Sequence, residues 1–247
     1  MPRDERPSGL IPAGGEVLDL LAMGSIGVLG VLPGSSNFTF LARVEGDGLE
    51  ALAVYKPREG ESPLWDFPLG TLHRREVAAF VVARFLGWPT VPPTLLRDGP
   101  AGPGSVQLFV EFDPDQHYFT LHEDRGEDFR EIAAFDVVVN NADRKAGHCL
   151  LGRDGRIFAI DHGTCFNVDP KLRTVVWDFV GEAIPDRLLE DVAALANELR
   201  AGDLRATLGD LLGPDEIDAT ARRAEGLVAE GRFPGPGPGR PFPWPVV

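Results

Sequence analysis

Residues 140–151 of the chain are NNADRKAGHCLL, and residues 157–163 are IFAIDHG. An apolar segment, FDVVV, precedes the first stretch, and the turn signal DG lies between the two. Because such a turn between short apolar runs is typical of a hairpin, we expect two short strands here. The hairpin would bring Asp143, in the polar turn before it, close to Asp161, at the end of its second strand. Two turn-forming acids that bond only to local backbone are the alternative interpretation.

The composition indicates a folded protein with a full core, since 43% of the 247 residues are hydrophobic. The formal net charge of −14 argues against binding to nucleic acid and to anionic lipid surfaces, because a negative field repels both. Apolar runs end well before the roughly 20 residues that a membrane span needs. The N-terminus lacks the pattern of a secretory signal. Two cysteines without metal-site spacing leave a reducing cytoplasm as the expected location.

The order of the elements predicts an α+β protein with a β-rich N-terminal lobe, 1–110, and a mainly helical C-terminal lobe, 111–247. The second lobe ends in a Pro/Gly-rich tail whose Phe242 and Trp244 suggest that it docks on the body. The expected elements are two strands joined by a hairpin within 24–57, a helix over 74–86, a strand over 104–112, a helix over 126–139, the hairpin over 148–161, and helices from 185 onward.

Phosphoryl transfer from a nucleotide requires a Gly-rich turn, a strand Lys, an acidic partner for that Lys, a catalytic acid and a metal-binding acid. The chain offers a candidate for each in that order. The candidates are Gly34, Ser35 and Ser36 in PGSSNF, Lys56 in ALAVYKP, Glu76 in HRREVAAF, Asp143 and Asp161. The first three also have ordinary interpretations, namely a plain hairpin turn, a solvated strand end and a solvated helical face.

Five segments together resemble the phosphatidylinositol 3-/4-kinase superfamily, and are most similar to its type II phosphatidylinositol 4-kinase branch and the small bacterial relatives of that branch. These segments are GSSNFTFLARV, AVYKPREGE, GSVQLFVEF, NNADRKAGHCLL and AIDHGTCF. They occur in the same order over residues 34–185, which is most of the chain. The resemblance implies an atypical, protein-kinase-like fold of two lobes with ATP in the cleft.

The resemblance also implies a role for each candidate. Lys56 would hold the α/β-phosphates and Glu76 would orient it, while Asp143 would be the catalytic acid and Asp161 the magnesium ligand. From their place beside Asp143, we also expect Arg144 or Lys145 to meet phosphate and to offset charge in the transition state. The segment that would read adenine through backbone groups contains Gln107, Phe109, Val110 and Glu111.

Two departures from the family pattern bear on the function. The family's catalytic loop has an Asn five residues after the Asp, where this chain has His148. Imidazole is a poor ligand for Mg²⁺ and suits softer ions. Three interpretations follow: one metal ion is enough for the reaction, His148 has another role, or the protein binds nucleotide but turns it over slowly. We keep His148 as a candidate metal ligand and catalytic residue. The second departure is that SPLWDFPLGTLHRRE lacks the Cys-rich acylated insert of the lipid kinases.

The sequence therefore predicts a cytoplasmic kinase that uses ATP and Mg²⁺, with Mn²⁺ as the alternative ion. We expect the acceptor to be a hydroxyl of a soluble small molecule or of a protein. No nucleic acid partner, transmembrane segment or membrane association is expected. The alternatives are a nucleotide-binding pseudokinase with a regulatory role, a phosphatidylinositol 4-kinase-type lipid kinase and a HipA-like protein kinase, whose usual loop NADRKAGH does not match.

Overall fold

The computed structural model describes residues 15–33, 37–88 and 90–247. Their contacts divide the chain into two compact units. The first unit contains the described residues up to Ser62 together with Pro93–Phe109, and the second contains Pro63–Pro92 and Val110–Val247. Within the described residues, no helix has the length and apolar composition needed to cross a membrane.

The first unit is an antiparallel sheet of five strands, covered by one helix. The elements are α1 (Gly15–Met23), β1 (Ser25–Val31), β2 (Phe40–Gly46), β3 (Leu49–Pro57), β4 (Thr94–Gly99) and β5 (Gly102–Leu108). The strands lie in the order β1-β2-β3-β5-β4. Leu21 of the helix packs with Val44, Tyr55 and Val106 of the sheet in one hydrophobic cluster.

The sheet has more strands than the sequence predicts. Residues 24–41 were expected to form a single strand, but they contain β1 and the first residues of β2. The turn predicted at EGDG is present, and Asp47 and Gly48 both have positive φ values of 49° and 77°. Such values suit a tight hairpin turn. The short strand β4 and the helix α1 were not predicted.

The second unit is mainly helical and contains one two-stranded hairpin. The helices are α2 (Leu72–Leu86), α3 (Tyr118–Leu121), α4 (Gly126–Val139), α5 (Asp186–Ala201), α6 (Asp203–Gly209) and α7 (Pro214–Glu230), and the hairpin pairs β6 (Cys149–Leu151) with β7 (Ile157–Ala159). The predicted helix over 126–139 and the predicted hairpin are thus present. Cys149 and Cys165 are free thiols in the core of this unit.

Helix α2 belongs to the second unit, whereas the sequence division at residues 110/111 assigns it to the first lobe. The helix runs from Leu72 to Leu86 and is followed by Gly87, whose φ of 70° forms a left-handed cap. Its Arg75 forms an ion pair with Glu216 and donates a hydrogen bond to the carbonyl oxygen of Cys165 at 2.7 Å. These buried bonds explain why α2 groups with the second unit.

The tail docks through its backbone more than through its aromatic side chains. The carbonyl oxygen of Val246 accepts a hydrogen bond from the Ala146 N–H at 2.8 Å, and that of Pro241 accepts one from the Thr174 N–H at 3.1 Å. By contrast, Phe242 and Trp244 remain 45% and 76% exposed. The tail is therefore ordered against the loop before β6, although not by the two rings that suggested it.

A buried ion pair connects α4 to the loop that follows it. Arg144 is 0% exposed, and its Nη2 and Nε atoms lie 2.9 Å and 3.0 Å from the two carboxylate oxygens of Asp136. Arg144 also donates to the carbonyl oxygen of Ile160 at 2.8 Å. Because a buried guanidinium requires a counter-charge and filled hydrogen bonds, this pair fixes the path of the loop.

We predict that Asp136→Ala destabilises the protein strongly, since it leaves the charge of Arg144 buried without its counter-ion. Breaking such a pair typically costs about 3–5 kcal/mol of unfolding free energy. Urea unfolding followed by tryptophan fluorescence measures the change. The control is Glu225→Ala, which removes the partner of Arg200 in a surface pair and should shift the midpoint little. Equal midpoints for the two variants would contradict the prediction.

Candidate active site

The loop after α4 is shaped by two adjacent asparagines. Asn140 ends the helix with a φ of 54°, a left-handed conformation that asparagine tolerates well. The side chain of Asn141 donates to Asp136 Oδ1 at 2.9 Å and accepts the backbone N–H of Asp143 at 2.9 Å. The position of Asp143 is therefore set by a hydrogen bond to a buried side chain.

Asp143 lies in a half-buried position beside a cation. Its Oδ2 atom is 3.3 Å from the Nζ atom of Lys145, and the two side chains are 32% and 22% exposed. Burial raises the pKa of the Asp143 carboxyl above its ordinary value, Lys145 opposes that rise, and the negative charge of Asp161 adds to it. The two acids thus interact electrostatically, as the hairpin prediction requires.

The structure does not fit the predicted role of Arg144 in meeting phosphate. Its side chain is completely buried, and its guanidinium is bonded to Asp136, to Ile160 and to the ring of His162. A group enclosed in this way cannot also reach a nucleotide in solvent. Arg144 positions the loop, whereas Lys145 retains an exposed fraction and remains the candidate for contact with phosphate.

Asp161 follows β7 in a left-handed conformation, with a φ of 62°. Its side chain is 47% exposed, and its Oδ2 atom lies 3.4 Å from Nε2 of His148. The Ile160 N–H donates to the carbonyl oxygen of His148 at 3.0 Å, which extends the hairpin beyond its strands. That bond places Asp161 and His148 side by side and leaves a carboxylate accessible to solvent.

Glu76 supports this segment from within the same unit. It is only 2% exposed, and its Oε2 atom accepts the backbone N–H of His162 at 2.9 Å. The solvated helical face considered for Glu76 is therefore wrong. The hydrogen bond holds the residue directly after Asp161, so that Glu76 helps to fix the conformation of the predicted metal ligand.

The described residues include no group of three or more His, Cys, Asp or Glu side chains arranged to hold a metal ion. Of the predicted ligands, Asp161 presents carboxylate oxygens, which suit Mg²⁺, since this ion commonly takes one or two carboxylates together with phosphate oxygens and water. The imidazole of His148 is a poor partner for Mg²⁺. The chemistry of the Asp161 carboxylate therefore fits magnesium, and Asp161 is the residue that would hold such an ion.

In the first unit, Lys56 lies on β3 opposite Ser105 of β5 and is partly buried. Gln107 is buried, and its amide donates to Thr94 Oγ1 at 2.8 Å, so its side chain serves the sheet. The Phe109 N–H donates to the carbonyl oxygen of Leu52 at 2.9 Å. These bonds hold the first residues of the segment predicted to bind adenine.

The remaining candidates of that segment lie in the second unit. Val110 is partly buried, and Glu111 forms an ion pair with Arg153 at 2.9 Å. The carbonyl oxygen of Glu111 accepts the Arg153 N–H at 3.1 Å. Gly34, Ser35 and Ser36, the predicted phosphate turn, lie outside the described residues.

Sequence reasoning missed Asp136 and Asn141, which determine where Asp143 lies. Asp136 sits inside the apolar run FDVVV, where a lone acid is the available signal that a buried cation must be nearby. The cation is eight positions later, beyond the end of the helix, and no helical spacing connects the two.

The fold is that of a kinase. The crystal structure of CtkA, a proinflammatory kinase of Helicobacter pylori, matches with a TM-score of 0.53 over 85% of this chain and 94% of that chain, at 12% identity. An identity this low shows the fold alone. The predicted α+β, two-lobe, kinase-like class is confirmed.

Two sequence relatives extend the comparison. Protein Rv2133c of Mycobacterium tuberculosis (strain ATCC 25618 / H37Rv) is 42% identical over 263 aligned residues, which cover 92% of this chain and 94% of that protein. Phosphatidylinositol 4-kinase gamma 4 of Oryza sativa subsp. japonica is 32% identical over 168 residues, which cover 53% of this chain but only 29% of the rice protein.

The family model for phosphatidylinositol 3- and 4-kinases matches residues 96–210, a range that includes Asp143, His148 and Asp161. The predicted resemblance is thereby confirmed. The chain is thus phosphatidylinositol 3-/4-kinase-like over residues 96–210, and this match supports a phosphotransferase of the kinase type.

Proposed function

We propose that the chain is an ATP- and Mg²⁺-dependent kinase that phosphorylates a hydroxyl of a soluble small molecule or of a protein. The observation that carries the proposal is the arrangement of Asp143, which is held by Asn141, paired with Lys145 at 3.3 Å and influenced by the charge of Asp161. A positioned carboxylate beside a cation is what alignment of an acceptor hydroxyl requires.

In the proposed mechanism, Asp143 accepts a hydrogen bond from the acceptor hydroxyl and takes its proton as the hydroxyl oxygen bonds to the γ-phosphorus of ATP. The bond between that phosphorus and the β–γ bridging oxygen breaks, and ADP is the leaving group. Burial favours this role, because a raised pKa makes the carboxylate a stronger base than an exposed aspartate. The ammonium group of Lys145 lies close enough to stabilise negative charge that develops near Asp143.

Asp161 would hold the magnesium ion, which when bound neutralises charge on the phosphates. The hydrogen bond from the His162 N–H to Glu76 keeps the Asp161 backbone in its left-handed conformation. In the first unit, Lys56 would bind phosphate oxygens, and the backbone of residues 107–111 would contact adenine. Residues 34–36 would complete the phosphate contacts.

A soluble acceptor is preferred to a lipid for two reasons. The chain carries a net charge of −14, which opposes anionic membranes. The segment SPLWDFPLGTLHRRE offers two aromatic residues for contact with a membrane, Trp65 and Phe67. Phe67 is only 7% exposed and lies beneath the guanidinium of Arg75, which leaves Trp65, at 93% exposure. The rice relative is named for a lipid substrate, so phosphatidylinositol remains the alternative acceptor to test.

We predict that Asp143→Asn lowers phosphate transfer about 100-fold or more, since a positioned base contributes on that order to catalysis. Transfer of labelled γ-phosphate from ATP is measured with pooled soluble metabolites, protein substrates and phosphatidylinositol vesicles. The control is Asp154→Asn, which alters an acid in the turn between β6 and β7 that pairs with Arg156. Full transfer by the Asp143 variant would refute the mechanism, and transfer only to the vesicles would identify a lipid kinase.

The same variant should keep its stability at neutral pH. Because burial raises the pKa of Asp143, folding disfavours its ionised form, and a neutral asparagine does not carry that cost. We therefore expect the Tm of Asp143→Asn to equal or exceed that of the wild type at pH 7. The difference should shrink as the pH falls through the raised pKa, because the wild-type carboxyl then becomes protonated. A lower Tm for the variant at pH 7 would contradict this assignment.

We predict that ATP with Mg²⁺ raises the Tm of the wild-type protein, because a ligand that binds the folded state stabilises it. At about 100 times its Kd the nucleotide should add about 2.7 kcal/mol, which corresponds to a rise of about 5–10 °C at this chain length. Lys56→Met should remove most of the rise. Arg43→Met, on the neighbouring strand in a surface pair with Glu50, should retain it. No shift with any nucleotide would reject ATP binding.

A further inference from the structure

We propose that His148 is a hydrogen-bond donor that holds the Asp161 carboxylate and is not a metal ligand. It follows that a single divalent ion accompanies the nucleotide. The first part concerns the protein without ligands, whereas the single ion rests on the proposed function. The assignment departs from the sequence prediction that placed His148 among the metal ligands.

The ring of His148 is held between two fixed partners. His148 ends a short 3₁₀ turn, Ala146–His148, and its side chain is 14% exposed. On one side, the backbone N–H of Lys145 points to Nδ1 at 3.5 Å. On the other side, Nε2 lies 3.4 Å from Oδ2 of Asp161. Both contacts are long, yet together they define which nitrogen faces a donor and which faces an acceptor.

These partners select one tautomer of the neutral ring. A backbone N–H can only donate, so Nδ1 beside Lys145 must carry the lone pair. The ring proton then resides on Nε2, and an ionised carboxylate, which can only accept, lies opposite it at Asp161. The two contacts are mutually consistent, because each nitrogen of His148 meets the complementary group.

Metal binding by His148 would disturb this arrangement. For Nε2 to ligate an ion, it must lose its proton, and the proton of the neutral ring would move to Nδ1. Nδ1–H would then face the Lys145 N–H, so that two donors point at each other. The backbone of the loop thus opposes ligation, and the contact with Asp161 is that of a residue that orients a metal ligand.

The number of ions follows from the ligands that remain. No group of three or more potential ligand side chains occurs among the described residues, and His148 is assigned to the support of Asp161. The protein then supplies Asp161 as its main ligand, with phosphate oxygens and water completing the coordination of one Mg²⁺. An enzyme with this site would work with one ion per nucleotide.

The tautomer is tested first, in the protein without nucleotide or metal. Long-range ¹H–¹⁵N correlation at alkaline pH, where imidazole is neutral, distinguishes a protonated Nε2 from a protonated Nδ1. The chain has five histidines, and the signals lost in His148→Gln identify residue 148. A proton on Nε2 is the expected result. A proton on Nδ1 would overturn the donor assignment, whatever the protein's activity.

The ion count is tested with Mn²⁺ as a paramagnetic probe and a non-hydrolysable ATP analogue. Titration followed by electron paramagnetic resonance should give one bound ion per nucleotide, without the hyperfine coupling of a directly bound imidazole nitrogen. Two ions, or a histidine coupling that disappears in His148→Ala, would overturn the proposal. His122→Ala, which removes a ring paired with Asp178, is the matched control and should change neither result.

The role of His148 in positioning Asp161 is tested by measuring the affinity of the protein for Mn²⁺. Loss of a group that orients a ligand typically weakens metal binding about tenfold or more, so His148→Ala should raise the Kd for Mn²⁺ by that factor. His148→Gln can still present an amide N–H and should restore much of the affinity. Unchanged affinity in the Ala variant would exclude the positioning role.

Calorimetry with the ATP analogue separates failure of this inference from failure of the proposed function. If the analogue does not bind the wild type at all, the kinase proposal and the single ion fail together, while the tautomer result stands by itself.

Discussion

An arginine enclosed on all sides by protein requires a carboxylate, and Asp136 provides it for Arg144. The loop of the second unit that follows α4 depends on this pair. The acid is on the last turn of α4, and the guanidinium also bonds to the chain after β7 through Ile160. One buried cation therefore connects three segments, namely the helix, the loop that contains Asp143, and the segment that contains Asp161. Desolvation of the two charges is expensive, so the pair is better understood as a device that specifies the loop conformation than as a source of stability.

Around the pair, further bonds fix the loop without covering its acid. Asn141 holds the N–H of Asp143, and the tail carbonyl of Val246 holds the N–H of Ala146. Both bonds use backbone groups, which leaves the carboxylate of Asp143 in contact with solvent and with Lys145. A site of this kind requires a rigid main chain and an accessible side chain. Here the hydrogen bonds to the backbone meet the first requirement, and the half-buried carboxylate of Asp143 meets the second.

The sequence was sufficient for the parts of the fold that follow from local patterns. Helix α4 and the β6–β7 hairpin are present as predicted, and the hairpin does bring Asp143 under the influence of Asp161. Burial was harder to predict, because it depends on partners distant in the chain. In the sequence DRK, no local signal distinguishes the burial of Arg144 from that of Lys145. In the structure Arg144 is buried in an ion pair with Asp136, whereas Lys145 is partly exposed. Similarly, Arg74 and Arg75 are neighbours, yet only Arg75 is drawn into the core, by Cys165 and Glu216.

The enclosure of Arg144 reduces the positive charge that is available to the proposed nucleotide. The protein has a net charge of −14, so it would have to attract the proposed nucleotide with local positive charge. Arg144 is neutralised by Asp136 and cannot contribute, and Lys171 is committed to Asp66 at 3.0 Å. The chain has three lysines, and the other two are Lys56 and Lys145. The proposed mechanism assigns Lys56 and Lys145 to the negative charge, and the divalent ion and backbone N–H groups would balance the charge that remains on the phosphates. A single divalent ion that balances phosphate charge has to be held in one place. Glu76 and His148 would serve this purpose, because they orient Asp161, the residue proposed to hold the ion.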